Sequence, residues 1–194
     1  IFDDLWAGKK KVSWLDVGAG YGEVIEAVSL LAPTGSNIVG LEPMKPKAES
    51  ARSRGLTIRQ CYLNEVDDKF DVISLINVYS HIPDFRSFLK DVRKVLTSSG
   101  EIFIETGNTA DLKYLHQVPG ELDLPDHLVF AGEKHLEGFL KEAGFSIVAV
   151  ERRRIDNLTN FAKSIVKKLL GRKVNLAFPY TSAYRSLLIR ARLK

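Results

Sequence analysis

Apolar runs of strand length alternate with stretches of helical period through most of the chain, the pattern of a parallel sheet with crossover helices. Val12–Val17 reads as the first strand. A helix over Gly22–Leu31 follows, with Val24, Ile25, Val28 and Leu31 on one face and Pro33 as its stop. Asn37–Leu41 reads as the second strand, then a polar helix around Lys47–Arg54 closed by Gly55. Leu56–Gln60 and Phe70–Leu75 are expected as the third and fourth strands. Asp84 has the character of an N-cap for a helix carrying Phe85, Phe88, Leu89, Val92, Val95 and Leu96 at helical spacing. Gly100 ends that connection and Glu101–Glu105 is the fifth strand.

Beyond residue 106 the rhythm changes. Thr109–His116 reads as a short helix and Val118–His127 as a Pro- and Asp-containing loop. Glu133–Ala143 is a helix with Leu136, Phe139 and Leu140 inward, ended by Gly144. Phe145–Glu151 and Tyr184–Leu193 are expected as the last two strands. Residues 153–183 form an insertion between them that contains the amphipathic stretch Leu158–Leu170. The fold class expected is α/β: a Rossmann-like open sheet of about seven strands, mostly parallel with an antiparallel last strand, helices on both faces. Repeats, low-complexity runs and linkers are absent, so residues 1–194 read as one domain.

Composition narrows the class. The 194 residues are 45% hydrophobic and 27% charged, which excludes disorder, collagen and coiled coil. A chain of this length buries roughly 70% of its unfolded surface and needs no disulfide or metal staple. The single Cys61 excludes an intrachain disulfide and a multi-cysteine zinc site. No apolar run reaches membrane-spanning length and no signal peptide is present, so the expected location is cytoplasmic. The first residue is Ile, and an N-terminal lid over the substrate is expected to be truncated.

Charge is divided unevenly. Residues 151–194 hold 12 Lys and Arg against 2 Asp and Glu, a net of +10, which leaves 16 against 22 for residues 1–150. Two readings stand, an anionic partner at the C-terminal end and a solvated basic face.

The chemistry concentrates at Asp16-Val17-Gly18-Ala19-Gly20-Tyr21-Gly22, between the first strand and the first helix, where open α/β sheets bind ligands. Glu42 ends the second strand, placed to accept hydrogen bonds from ribose hydroxyls. The dinucleotide fingerprint fails, because its third small residue would be Glu23. A carboxylate at Asp16 would repel a pyrophosphate and suits a ligand bearing a cationic amino group. Without G-K-[ST] after the loop, a P-loop is excluded.

Asp16, Gly18, Gly20 and Gly22, with Glu42, resemble the acidic-x-G-x-G-x-G loop and ribose-binding acid of class I S-adenosylmethionine-dependent methyltransferases. Phe70–Ile82 resembles the fourth strand and following loop of the small-molecule branch. Asp126-His127-Leu128-Val129-Phe130, with Leu136 and Gly144-Phe145, is similar to another pattern of that branch. The resemblance covers roughly residues 10–150. It implies S-adenosyl-L-methionine as cofactor, with contacts from Asp16, Gly18, Ala19, Gly20, Gly22, Glu42, Pro43, Tyr62, Leu63 and Asn77. Tyr62 and Leu63 read equally well as packing on the adenine and as core. Gln60–Glu65 departs from the family, which often carries an adenine-contacting acid there.

After the fourth strand the chain reads Asn77-Val78-Tyr79-Ser80, without the proline clamp of nucleic-acid amino-methyltransferases. A small-molecule acceptor is therefore expected and specific nucleic-acid binding is not. Pro179–Arg192 loosely resembles methyltransferases of bacterial glycan assembly, pointing to a sugar or glycan-precursor hydroxyl. Histidine spacing forms no metal pattern. His81, near the point of methyl transfer, and then His127 are the candidate bases, with a scaffold role for His81 as the alternative. Ile155, Leu158, Phe161, Ala162, Ile165, Val166 and Leu169 form an apolar helix face beside Lys163, Lys167 and Lys168. Packing on the sheet edge is the favoured reading of that face; association with a membrane surface or cover over a substrate is the other. A non-catalytic methyltransferase-fold binding module using the basic end remains the alternative to an enzyme. The oligomeric state is open.

Overall fold

A computed structural model describes residues 8–111, 127–154, 158–171 and 185–194. β1 (Ser13–Val17), β2 (Asn37–Leu41), β3 (Ile58–Arg59), β4 (Phe70–Ile76), β5 (Leu96–Gly107), β6 (Phe145–Arg154) and β7 (Arg185–Leu193) form a seven-stranded sheet in the order β3-β2-β1-β4-β5-β7-β6. The first five strands pair in parallel. β7 runs antiparallel to both β5 and β6. This is the expected Rossmann-like sheet with its antiparallel last strand. Because β1 lies between β2 and β4, the strand order reverses there, and such a switch point opens a crevice at the strands' carboxyl ends.

Alternation along β1 builds two cores. Leu15 and Val17 join a large cluster with Leu89 and Val92 of α3 (Phe85–Val95) and Leu136 and Leu140 of α4 (Glu133–Glu142). On the other face, Trp14 packs with Val28 of α1 (Glu23–Leu31). Ala19 and Ile25 pack there with Ala48 and Ala51 of α2 (Lys45–Ser53). Small residues set that spacing: a Cβ on Gly40 of β2 would stand 2.5 Å from Ile58 and 2.7 Å from Ala19. The Asp84 carboxylate caps α3 as expected, accepting from the Ser87 amide at 3.0 Å.

Several boundaries differ from the sequence reading. Leu31 was expected inward but is 71% exposed, since it is the last residue of α1 and no further turn follows to cover it. The expected strand Leu56–Gln60 contracts to two residues, because this edge strand pairs only with Gly40 and Leu41 of β2. β5 begins at Leu96 rather than Glu101: Leu96 pairs with Phe70 directly after α3, and the register then jumps to Val72 opposite Glu101. Of Thr109–His116, only the 3-10 turn Thr109–Asp111 lies within the described residues. The loop before His127, Tyr184 and much of the 153–183 insertion lie outside them. Within the insertion, α5 (Leu158–Leu169) is helical as expected. Its favoured packing on the sheet edge is not observed, as Ala162, Ile165, Val166 and Leu169 are all exposed.

One buried charge holds the β5–β7 pairing. Glu101 accepts from Nε and Nη2 of Arg190 at 3.0 and 2.8 Å through one oxygen. Its other oxygen accepts from Nε and Nη2 of Arg192 at 2.9 and 2.5 Å. Arg190 is 3% exposed, so Glu101→Ala takes two charge-assisted hydrogen bonds from a buried guanidinium. It should cost about 3–5 kcal/mol, read as a lower urea midpoint at unchanged slope. A loss below about 1 kcal/mol, the size typical of exposed pairs, would show that this pair holds nothing.

Candidate active site

The loop after β1 is folded by the end of β2. Gly18 and Ala19 both donate their amides to the Leu41 carbonyl at 2.8 Å. The Gly20 amide donates to Glu42 Oε2 at 2.8 Å, and Glu42 Oε1 accepts from the Met44 amide at 2.8 Å. Gly18, Gly20 and Gly22 have φ of 73°, 57° and 90°, a region closed to most side chains. Space differs among them. A Cβ at Gly18 would meet Val78 at 2.6 Å and one at Gly22 would meet Leu56 at 2.5 Å, whereas one at Gly20 finds only Glu23 Oε2, at 4.0 Å. Gly20 thus presents bare backbone to open space.

Asp16 lies beneath this loop, 2% exposed. The Trp14 Nε1–H donates to Ser74 Oγ at 2.8 Å, and Ser74 Oγ donates to Asp16 Oδ1 at 2.5 Å. Among the described residues no donor reaches the other carboxyl oxygen. Burial pushes the carboxyl from its ordinary 3.8 up to about 7, against the smaller lowering effect of the Ser74 hydrogen bond.

A cleft of about 760 Å³ crosses the carboxyl ends of β1, β2 and β4, within the size range of small-molecule sites. Of the residues singled out from sequence, Gly18, Gly20, Glu42, Pro43, Tyr62, Leu63, Asn77 and His81 line it. Asp16, Ala19 and Gly22 do not; they lie in and under the loop that forms its floor. His127 does not line it either. Its ring stands edge-on to His81 with centroids 5.2 Å apart, and the Leu128 and Val129 amides anchor the segment to the Ser80 carbonyl. Asn77 has φ 55°, the one non-glycine positive φ among the described residues, and donates its amide to the Glu105 carbonyl at 2.8 Å. Such a conformation turns the chain at the β4 end and suits the short polar side chain of Asn.

Sequence reasoning missed Lys47, Cys61, Asn64, Phe88 and Asp91, which also line the cleft. Phe88 read as core by its helical spacing. Asp91 lies three residues on, hence on the same face, and that acid beside an apolar position was the available signal. Burial is the main reason that the Cys61 thiol is pushed up, with Glu65 adding to it and Arg59 opposing.

A methyltransferase-domain family model matches residues 2–150, and the chain belongs to that family. The ubiquinone biosynthesis O-methyltransferase of Actinobacillus pleuropneumoniae serotype 7 is 30% identical over 148 residues, covering 69% of this chain and 61% of that protein. The mitochondrial ubiquinone biosynthesis O-methyltransferase of Dictyostelium discoideum is 27% identical over 146 residues, 66% of this chain and 44% of that one. The chain thus spans about half the length of the curated relatives it matches. The fold is shared with geranyl diphosphate C-methyltransferase from Streptomyces coelicolor, solved with S-adenosyl-L-homocysteine, at TM-score 0.69 and 13% identity over 100% of this chain and 78% of that one. The family is that of class I S-adenosylmethionine-dependent methyltransferases, and S-adenosylmethionine is the cofactor. The site suits it: a buried carboxyl oxygen without a donor, an open backbone position at Gly20 and a clefted carboxylate at Glu42.

The raised Asp16 pKa makes a signed prediction for the cofactor-free protein. A carboxyl whose folded pKa exceeds its unfolded one favours folding while protonated. That contribution is whole below the unfolded value of 3.8, falls as pH rises, and is lost above about 7. Asp16→Asn removes the titration. Its stability relative to the parent, from urea unfolding, should therefore rise from about pH 5 to about pH 8. A gap that stays constant across that window would mean that Asp16 is ionised throughout.

Proposed function

We propose that this chain transfers the methyl group of S-adenosylmethionine to a hydroxyl of a small-molecule acceptor. The observation that carries the reading is that one cleft is lined by Gly20 backbone, the Glu42 carboxylate and the His81 imidazole. Bound there, the cofactor supplies an electrophilic methyl on a sulfonium. Glu42 accepts one backbone amide at each oxygen and keeps further lone pairs for the ribose hydroxyls. Gly18, Ala19, Gly20 and Gly22 shape the loop beside the methionine end, with Asp16 beneath as the partner for its amino group. Pro43, Tyr62, Leu63 and Asn77 flank the nucleoside.

An acceptor hydroxyl must lose a proton as its oxygen is methylated. His81 takes it, and His127, edge-on to that ring, restricts the imidazole's orientation and is the second candidate base. Alignment of acceptor and methyl supplies much of the acceleration, and a positioned base adds roughly 10²–10⁴-fold. A hydroxyl acceptor is supported by the relatives, which are named O-methyltransferases. Within that class, the closing segment Pro179–Arg192 favours a sugar or glycan-precursor hydroxyl.

The test is methyl transfer from radiolabelled cofactor to a panel of nucleotide sugars, glycan fragments and phenols. Transfer to one hydroxyl acceptor is expected. Tight cofactor binding without transfer to any member, or transfer to nitrogen or carbon only, would overturn the reading, the former in favour of a binding module. On the acceptor found, His81→Gln should lower turnover at least about a hundredfold at unchanged cofactor affinity. Normal turnover in a folded variant would leave His81 as scaffold and shift the search to His127. Glu42→Ala should weaken cofactor binding by about 1.5–3 kcal/mol, the worth of a charge-assisted hydrogen bond, measured by calorimetry. Unchanged affinity would remove Glu42 from the ribose.

A further inference from the structure

α5 is a helix whose described apolar residues are exposed. Ile165, Val166, Leu169 and the following Leu170 are 37%, 55%, 82% and 71% exposed, and Ala162 is exposed as well. At 3.6 residues per turn, Ile165, Leu169, Ala162 and Val166 fall within an arc of about 100°. Lys168 stands about 60° beyond one rim of that arc and Lys163 about 60° beyond the other, with Lys167 on the far side. All three lysines are exposed, and among the described residues none has a carboxylate partner. The surrounding sequence sharpens the charge: from Asn157 to Lys194 the chain carries nine Lys and Arg and no Asp or Glu.

The strand ends on either side of α5 have a definite place relative to the cleft. β7 is antiparallel to β5, with Ser186 opposite Gly107, so it starts at the carboxyl end of the parallel strands. β6 ends at the same edge, with Arg154 opposite Arg185. The connection that holds α5 therefore leaves the sheet and returns to it at the edge on which the cleft opens.

We propose that α5 docks this edge of the protein on an anionic lipid surface. The apolar arc inserts among the acyl chains near the headgroups and the flanking lysines meet lipid phosphates, the arrangement of an interfacial amphipathic helix. Charge complementarity selects an anionic surface, and the aliphatic arc selects lipid over nucleic acid, which would leave Ile165 and Leu169 in water. No described helix is long and apolar enough to cross a membrane, so the contact is peripheral.

Flotation of the full chain with vesicles tests this. Phosphatidylcholine vesicles containing a minority of phosphatidylglycerol should capture it at least about tenfold better than phosphatidylcholine alone, and added salt should weaken capture. Two variants separate the contributions, Ile165→Ser with Leu169→Ser, and Lys163→Ser with Lys167→Ser and Lys168→Ser. Each should lose capture at least about tenfold while S-adenosylmethionine affinity, read by calorimetry, stays unchanged. Absence of capture by the anionic vesicles, or capture untouched by the apolar pair of substitutions, would overturn the proposal. So would tighter binding to random RNA than to vesicles, or a dimer that the apolar pair dissolves in place of vesicle binding.

Discussion

Three consecutive amides of the first loop end on two neighbouring residues of another strand. Gly18 and Ala19 donate to the Leu41 carbonyl and Gly20 donates to the Glu42 carboxylate. Since β1 and β2 are parallel neighbours in register, Val17 against Leu41, both chains leave the sheet at one level and can hold each other there. The floor of the cleft depends on that clamp. A carbonyl with two donors and a carboxylate with two amides fix a loop whose left-handed glycines would otherwise move freely. Glu42 closes the loop and lines the cleft at once.

Among the described residues the buried acidic side chains are Asp16, Glu42 and Glu101, and they differ in their partners. Glu101 has two guanidinium groups, Glu42 two backbone amides, and Asp16 a single serine hydroxyl. A buried carboxylate needs charge or several donors to remain ionised at little cost. Asp16 lacks them among the described residues, and burial pushes its carboxyl up to about 7. The uncompensated group lies under the glycine loop, two strands away from the Glu101 cluster that pins β5 to β7. Glu101 is thus compensated by two guanidinium groups, and Asp16 beneath the glycine loop by one hydroxyl among the described residues.

What was legible in the sequence was local or periodic. The strand–glycine-loop–helix unit, Glu42 twenty residues beyond Gly22, the Asp84 cap and the α3 face can all be read from spacing, and each is formed by residues close in the chain. Pairing was less legible. β3 is short because β2 offers it only two residues, and β5 is extended because Leu96 finds Phe70, facts that belong to the neighbouring strand. The far wall of the cleft was hidden for a related reason. Phe88 and Asp91 face it from α3 and Lys47 from α2, helices whose inward positions look alike whether they meet core or cavity. The described part of the α5 face is exposed where packing was favoured, since an amphipathic pattern specifies that a face will be covered and not by what.

The basic C-terminal end separates into two kinds of charge once partners are assigned. Arg190 and Arg192 are consumed by Glu101, Arg152 by Glu133 and Arg153 by Glu151. These are planar guanidinium groups held by carboxylates along β6 and β7, as the geometry of arginine favours. The cations of α5 are lysines without such partners among the described residues, on flexible stems that keep their ammonium groups in water. A net charge of +10 read from sequence therefore overstates the field available to a partner and blurs its location. Arg190 and Arg192 serve the β5–β7 pairing, whereas the α5 lysines flank an exposed apolar arc.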